Sequence, residues 1–374
     1  IEGQTGWIIV DPLTTRETAA AAIAFAREHL GDKPIAAIIF THSHIDHFGG
    51  VLGVTTQADV DAGRCRVIAP EGFLFQAVSE NLLAGPAMGR RAVYQFGPLL
   101  PPGPRGQVDA GLGKNIPIEA PGLIAPSEEI TRTGEELVVD GVRIVFQLTP
   151  ETEAPAEMNF FFPDHGWLCM AENCTHTMHN LVPIRGAQVR NALNWSKHIN
   201  TALWKFGQEA EVMFASHSWP RWGNARIQEV LRTQRDAYAN LNNQSLHYAN
   251  QGVTINEIHN VYEVSKSLQQ QWAARSYHGD VQNNSRAVIN RFLGFYDGNP
   301  VNLIPLSPQD SAPLYVEMMG GSKKILAKGR ELVDAGKYRE ASEILNKLVF
   351  AEPQNQAARR LLADAYEQLG YQAE

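Results

Sequence analysis

Residues 41–50 read THSHIDHFGG and follow directly on the apolar run IAAIIF, residues 35–40. An apolar run of this kind reads as a buried strand, and the polar residues massed at its end mark a rim where the chain leaves a sheet. His42, His44, Asp46 and His47 take the form HxHxDH. In an extended or turning segment, residues two apart face the same side. His42 and His44 can therefore hold one ion, while Asp46 and His47, beyond the bend, turn toward a neighbouring one. Imidazole nitrogen and carboxylate oxygen are the donors zinc takes in catalytic sites that keep a position open for water. A single histidine is usually a surface or hydrogen-bonded residue, but that reading does not account for four ligand-type residues packed behind one strand.

Working outward, the first 75 or so residues alternate strand and helix. WIIVD (7–11) is a strand, and Thr14 and Glu17 have capping-box spacing ahead of the Ala-rich helix ending at Leu30, which Gly31 stops. RVIAP (66–70) is the next strand, so a layered α/β domain is expected. GPLLPPGPRG and NIPIEAPGLIAP, within residues 97–127, are dense in Pro and Gly and read as a lid, a substrate wall or irregular chain. Strands resume at ELVVDGVRIVFQL (136–148), where Asp140-Gly141 signals a hairpin, and WLCMA and EVMFAS are further buried-type strands.

From about residue 225 the pattern is helical to the end. Gly336, Tyr338, Ala341 and Pro353 sit at tetratricopeptide-type offsets, with a second unit beginning and then cut short. One and a half repeats form no solenoid, so these helices must pack against something else, such as a partner subunit. Two domains are expected, residues 1–230 and 231–374, because 374 residues exceed what one core usually organises.

A net charge of -8 without a Lys/Arg-dense patch argues against a nucleic-acid partner. No apolar run approaches the roughly 18 to 20 residues of a membrane span. Cys65, Cys169 and Cys174 lack metal-type spacing and are odd in number, so neither a disulfide framework nor a thiolate zinc site is expected. The chain opens on Ile1 with a strand already under way, which suggests a start inside a longer protein whose N-terminal segment, with any targeting signal, is missing.

Three other segments place an acid or histidine just beyond a short apolar strand. VRIVFQLTPETEAPAEM delivers Glu151, Glu153 and Glu157, WLCMAEN delivers Glu172, and EVMFASHSW delivers His217. Strand ends of helix-covered sheets converge on one rim, so these residues and HxHxDH are expected to form a single site.

Together THSHIDHFGGV, PEGF, AVSENLLAG, AGLGK, TEAPAEMNF, CMAENCTHTMHNL and FASHSWPRWGN resemble the zinc-dependent alkyl sulfatases, the linear-alkylsulfatase branch of the metallo-β-lactamase superfamily. The resemblance covers nearly the whole chain. It implies an αββα sandwich followed by an all-α, partly TPR-like dimerisation domain, a homodimer, and hydrolysis of dodecyl sulfate-like esters by a water that two zinc ions activate. It implies His42, His44 and Glu153 on the first zinc, Asp46, His47 and His217 on the second, and Glu172 bridging them. It also implies sulfate contacts from Asn180, Arg185 and Arg190, a periplasmic or secreted location, and a further C-terminal lipid-carrier-like domain beyond this chain. His176 and His179 are candidates for protonating the leaving oxygen, which Asn180, with no titratable proton, is not.

Two departures from the family pattern stand out. Glu151 occupies a position where glycine is usual, and NIPIEAP replaces a Thr/Ser/Gly-rich stretch in the Pro/Gly-rich wall. Asp11 either orients a ligating imidazole or shapes its Asp-Pro turn, and Trp204, Phe206, Trp219 and Trp222 are candidates for an alkyl channel. The fold alone leaves rival readings: thioesterase, lactamase or phosphodiesterase chemistry in the same cradle, or a helical-repeat scaffold with a structural metal site.

Overall fold

A computed structural model describes every residue except Arg105, Leu112, Ala373 and Glu374. AGLGK therefore lies partly outside the described residues. The chain divides into two compact units, Ile1–Phe295 and Tyr296–Glu374.

The larger unit begins β1 (Trp7–Val10), α1 (Arg16–Leu30), β2 (Ile35–Ile39), α2 (Ile45–Phe48), α3 (Gln57–Asp61), β3 (Arg66–Pro70), α4 (Phe73–Ser79), α5 (Gly85–Phe96) and β4 (Glu128–Ile130). It continues with β5 (Glu136–Val139), β6 (Val142–Leu148), β7 (Met158–Phe162), β8 (Trp167–Cys169), α6 (Ala192–Lys205), β9 (Val212–Phe214), β10 (Arg221–Trp222) and α7 (Asn224–Asn250). Two four-residue helices, α8 (Ile258–Val261) and α9 (Lys266–Gln269), and the longer α10 (Val281–Leu293) close it.

Strands β1-β2-β3-β4 form a parallel sheet, and β10-β9-β8-β7-β6-β5 form a second sheet in which β8 and β9 alone run parallel. Period-two alternation explains the layering. Along β2, Ala37 and Ile39 face the other sheet, where they meet Ile144, Phe146, Phe160 and Phe162. Ile38 and Phe40 point the opposite way, into a layer with Ile23 of α1 and Phe73 and Ala77 of α4. Phe161 of β7 likewise turns outward, against Trp195, Ile199 and Leu203 of α6 and Ile227, Leu231 and Tyr238 of α7. The result is the expected αββα sandwich.

Two local expectations shift. Helix α1 is capped by Thr15 and boxed by Thr18, one residue later than Thr14 and Glu17, because Thr15 holds the extended backbone (φ -127°, ψ 156°) a cap requires. The expected boundary at residue 230 falls inside α7, which buries one continuous face from Ile227 to Leu241 in the sandwich core; the division into compact units comes after Phe295. The Asp140-Gly141 hairpin is present, with both φ positive (45° and 82°) and Val139 paired to Val142.

The smaller unit is all helical: α11 (Pro308–Met318), α12 (Ser322–Asp334), α13 (Tyr338–Ala351) and α14 (Gln356–Gln372) around Ile325, Ala341, Leu345, Leu348 and Leu361. Among the described residues no helix is long and apolar enough to cross a membrane.

Candidate metal centre

Five chain segments meet at one rim. Asp11 follows β1, the motif His42–His47 follows β2, Glu153 lies between β6 and β7, Glu172 follows β8 and His217 follows β9. The glycine pair of THSHIDHFGG makes the close approach possible. A Cβ on Gly49 would lie 2.1 Å from the Thr14 carbonyl oxygen, and one on Gly50 only 2.0 Å from that of Pro12. Any other residue there would lift the motif off the β1–α1 turn that carries Asp11.

The side chains gather into two donor sets, His42/His44/Glu153/Glu172 and Asp46/His47/Glu172/His217. In the first, His42 Nε2 lies 3.2 Å from Glu153 Oε2 and 3.3 Å from Glu172 Oε2, and His44 Nδ1 lies 2.7 Å from Glu153 Oε2. In the second, His47 Nε2 lies 3.2 Å from Asp46 Oδ2 and 3.1 Å from Glu172 Oε2, while His217 Nε2 lies 3.2 Å and 3.5 Å from the same two oxygens. Donors placed 2.0–2.1 Å from a tetrahedral zinc stand about 3.3 Å apart, so every separation but the 2.7 Å between His44 and Glu153 suits such an ion. The buried His42 Nε2, His47 Nε2 and Glu153 Oε2 make no hydrogen bond, although oxygens and nitrogens lie this close. Atoms that converge without bonding to one another suit a shared cation. Glu172 Oε2 is common to both sets, lying close to His42, His47 and His217 alike.

The orientation of each ligand has its own cause. Asp11, at φ 52°, accepts from Thr41 N (2.8 Å), Thr41 Oγ1 (2.7 Å), Ser216 Oγ (2.7 Å) and His47 Nδ1 (2.9 Å). Because the Thr41 hydroxyl proton goes to Asp11, its oxygen accepts from His42 Nδ1 at 2.8 Å. Both imidazoles thus carry a proton on Nδ1, which leaves Nε2 as the atom turned toward the centre and the one a cation would take. Asp11 is therefore an orienting residue as well as a turn residue. Glu157 anchors the Glu153 loop from within, accepting from Thr152 Oγ1 (2.9 Å), Ala154 N (3.1 Å) and Glu172 N (3.1 Å).

The electrostatics follow burial and charge together. Burial works against a charged imidazole at His217, yet the Glu172 and Asp46 carboxylates beside it outweigh that and push the pKa up to about 10. His47 is likewise raised well above the usual imidazole range, by Asp46 and Asp11 against burial. At Glu153 burial favours the neutral acid, but Arg190 and His44 overcome it and hold the carboxylate low. Burial pushes the Cys174 thiol up to about 12, consistent with a small apolar filler.

Asn180, Arg185 and Arg190 are drawn to the same side, but in different ways. Arg190, 5% exposed, donates Nη2 to Glu153 Oε1 and Nη1 to Asn180 Oδ1 (2.7 Å) and His179 Nδ1 (2.9 Å). Arg185 donates to Glu80 Oε1 at 2.9 Å, and the other Glu80 oxygen lies 3.7 Å from His44 Nε2. His179, with Nδ1 accepting from Arg190, donates Nε2–H to Glu172 Oε1 at 2.9 Å and so steadies the carboxylate common to both donor sets. His176 belongs to neither donor set and donates Nε2–H to the Trp219 carbonyl at 2.9 Å.

Glu151 pairs with Arg291 at 3.0 Å, which offsets its charge near the ligands. Phe206 is buried against Phe161, whereas Trp204, Trp219 and Trp222 are exposed. Sequence reasoning missed Thr41, Ser216, the anchoring role of Glu157, and His278, whose ring packs 4.8 Å from His179. Burial and the neighbouring His179 drive the His278 pKa down to about 3, which leaves a neutral imidazole. Nothing in the spacing of SYHGD marks it.

Comparison with known proteins extends these observations. Residues 1–217 match the family model described as "Metallo-beta-lactamase superfamily", and residues 254–374 match "Alkyl sulfatase dimerisation". The chain is 48% identical over its whole length to an (R)-specific secondary-alkylsulfatase and 46% identical to a linear primary-alkylsulfatase, both of Pseudomonas sp., spanning 57% and 56% of them. A solved structure of the stereoselective inverting sec-alkylsulfatase Pisa1 from Pseudomonas sp. superposes with a TM-score of 0.97 at 47% identity, covering all of this chain and 59% of that one. The chain thus spans little more than half the length of these relatives.

Proposed function

The chain belongs to the metallo-β-lactamase superfamily, in its alkyl sulfatase branch, and from that premise we propose that it hydrolyses alkyl sulfate esters to an alcohol and inorganic sulfate using two zinc ions. The observation that carries the reading is the pair of donor sets sharing Glu172 Oε2, held in a chain that aligns over its full length with alkylsulfatases.

His42, His44 and Glu153 would hold one ion, Asp46, His47 and His217 the other, with Glu172 between them. Ions held there would supply Lewis acidity and would lower the pKa of a coordinated water from 15.7 toward about 7. The remaining work falls to the chain. Asp11 and Thr41 fix the tautomers of His47 and His42, and His179 and Arg190 each hold one carboxylate oxygen of Glu172 and Glu153, so that the other oxygen faces the centre. A sulfate monoanion needs donors beyond the metals. Arg185 and Asn180 are the proposed contacts, since Asn180 Oδ1 accepts from Arg190 and the amide N–H pair is thereby turned the other way. Arg190, whose guanidinium is committed to Glu153, contributes its charge from behind.

Purified protein assayed with dodecyl sulfate, a β-lactam, an acyl thioester and a phosphodiester, alongside metal analysis, tests the proposal. Sulfate release with zinc bound is expected, and the double substitution H42A/H47A abolishes turnover while leaving the oligomeric state unchanged. A chain that binds no metal, or releases no sulfate with zinc present, sinks it.

A further inference from the structure

Glu151 sits two residues before the ligand Glu153, with its backbone in the left-handed region at φ 62°. A glutamate stays in that conformation only where its surroundings hold it there. Three donors converge on its Oε2: Arg291 Nη2 at 3.0 Å, Asn194 Nδ2 at 3.2 Å and Asn191 Nδ2 at 3.4 Å. Its carbonyl oxygen accepts from Asn191 N at 3.1 Å, and its own N–H donates to the Pro155 carbonyl at 3.4 Å. The second arm of Arg291 donates to the Val189 carbonyl at 2.6 Å. Glu151 therefore ties the loop that carries Glu153 to the N-terminus of α6 and to α10. The pair Glu151–Arg291 also lines a small cavity whose other walls include His44, Glu153 and Arg190.

We propose that Glu151 and Arg291 form a positioning clamp for Glu153, which sets the affinity of the first donor set for its ion without touching it. The proposal rests on the reading of the two donor sets as metal sites. Glu157 pins the same loop from inside, through Thr152 and Ala154. Without the outer tie, Glu151 is free to relax to a right-handed backbone, and the two-residue step to Glu153 carries that change into the position of Oε2. His217, on the far side of Glu172, belongs to a segment the clamp does not reach, so the second donor set is insulated.

Zinc titration against a chromophoric chelator tests this in two backgrounds of the whole chain. In H217A only the first donor set is complete, and in H44A only the second. In the H217A background E151A and R291A each weaken zinc binding about tenfold, the lower end of what partners behind a ligand contribute. The double variant E151A/R291A is no worse than the weaker single one, because the two act as one clamp. E151Q, whose amide oxygen still accepts, stays within about twofold of its background. In the H44A background E151A changes affinity by less than about twofold. The proposal is overturned by an unchanged affinity for E151A and R291A in H217A, or by equal weakening in both backgrounds, which indicates general loosening. If E151A fails to fold, R291A and E151Q decide the matter on the same criteria. A wild-type chain that takes up no zinc defeats the metal reading itself, a separate and distinguishable result.

Discussion

Asp11 takes four hydrogen bonds on two oxygens, from Thr41 (twice), Ser216 and His47. An asparagine in its place must turn an N–H toward some of these donors, and the tautomer of His47 is then no longer enforced. D11N is therefore expected to weaken zinc at the second donor set by about 10- to 100-fold in chelator competition, with the circular dichroism spectrum unchanged; wild-type affinity would falsify the orienting role. Proton linkage gives a second expectation. With His217 raised to about 10 and His47 raised as well, the metal-free centre carries protons at neutral pH. A raised imidazole pKa adds stability to the metal-free fold below the ordinary value near 6.5 and loses it as pH rises through about 10. Zinc must displace those protons, so its affinity rises with pH up to that point. Calorimetry at pH 7 in buffers of different ionisation enthalpy should show net proton release on zinc binding, and no release contradicts the assignment. The gathering of the His, Asp and Glu side chains was legible in sequence because metal chemistry restricts residue type and spacing. Ser216 was not, since it meets Asp11 across 205 residues and a serine carries no such restriction.

At the scale of elements, period-two and strand-end patterns read well where packing dictates them, as in β2, β3 and the Asp140-Gly141 hairpin. They read poorly where the backbone follows tertiary neighbours. The cap of α1 falls at Thr15 rather than Thr14 because Thr15 holds the extended backbone (φ -127°, ψ 156°), a conformation that no propensity announces. Of the tetratricopeptide-type offsets Ala341 is fully buried in the helical core, and α12 packs on α13 through Gly329 and Leu345, which those offsets did not include. A Cβ on Gly329 would lie 2.7 Å from Leu345 Cδ2, and Leu345 is fully buried in the helical core. G329L overfills that contact. It is expected to cost about 1–3 kcal/mol of the helical unit's stability in denaturant unfolding, with the zinc content of the chain unchanged. An unfolding midpoint equal to wild type means that the helices part without penalty and the packing account is wrong.

For the whole molecule, the αββα layering was legible because three apolar layers need four strand faces, two on each sheet, and two helical stripes, and both periods are present along the chain. The division at Phe295 was not, since α7 looks like the start of a helical domain yet buries its apolar face on the sandwich sheet. What the sequence left open about assembly the smaller unit addresses directly. Val301, Ile304, Leu306, Leu314, Met318 and Phe350 line an apolar groove, with Ile304 88% and Met318 86% exposed. A contiguous apolar surface of this kind marks an interaction site, and these residues lie within the stretch that matches the alkyl sulfatase dimerisation model. The proposed occupant is a second copy of the chain. Two aspartates set into such a groove must either be desolvated in the dimer or hold it open, so I304D/M318D is expected to raise the dimer dissociation constant by at least about tenfold in sedimentation velocity. Helix content should hold, because both side chains are solvent-facing in the single chain. A wild-type chain that sediments as a monomer at micromolar concentration removes the homodimer, whereas a dimer indifferent to the two aspartates removes only the groove as its interface.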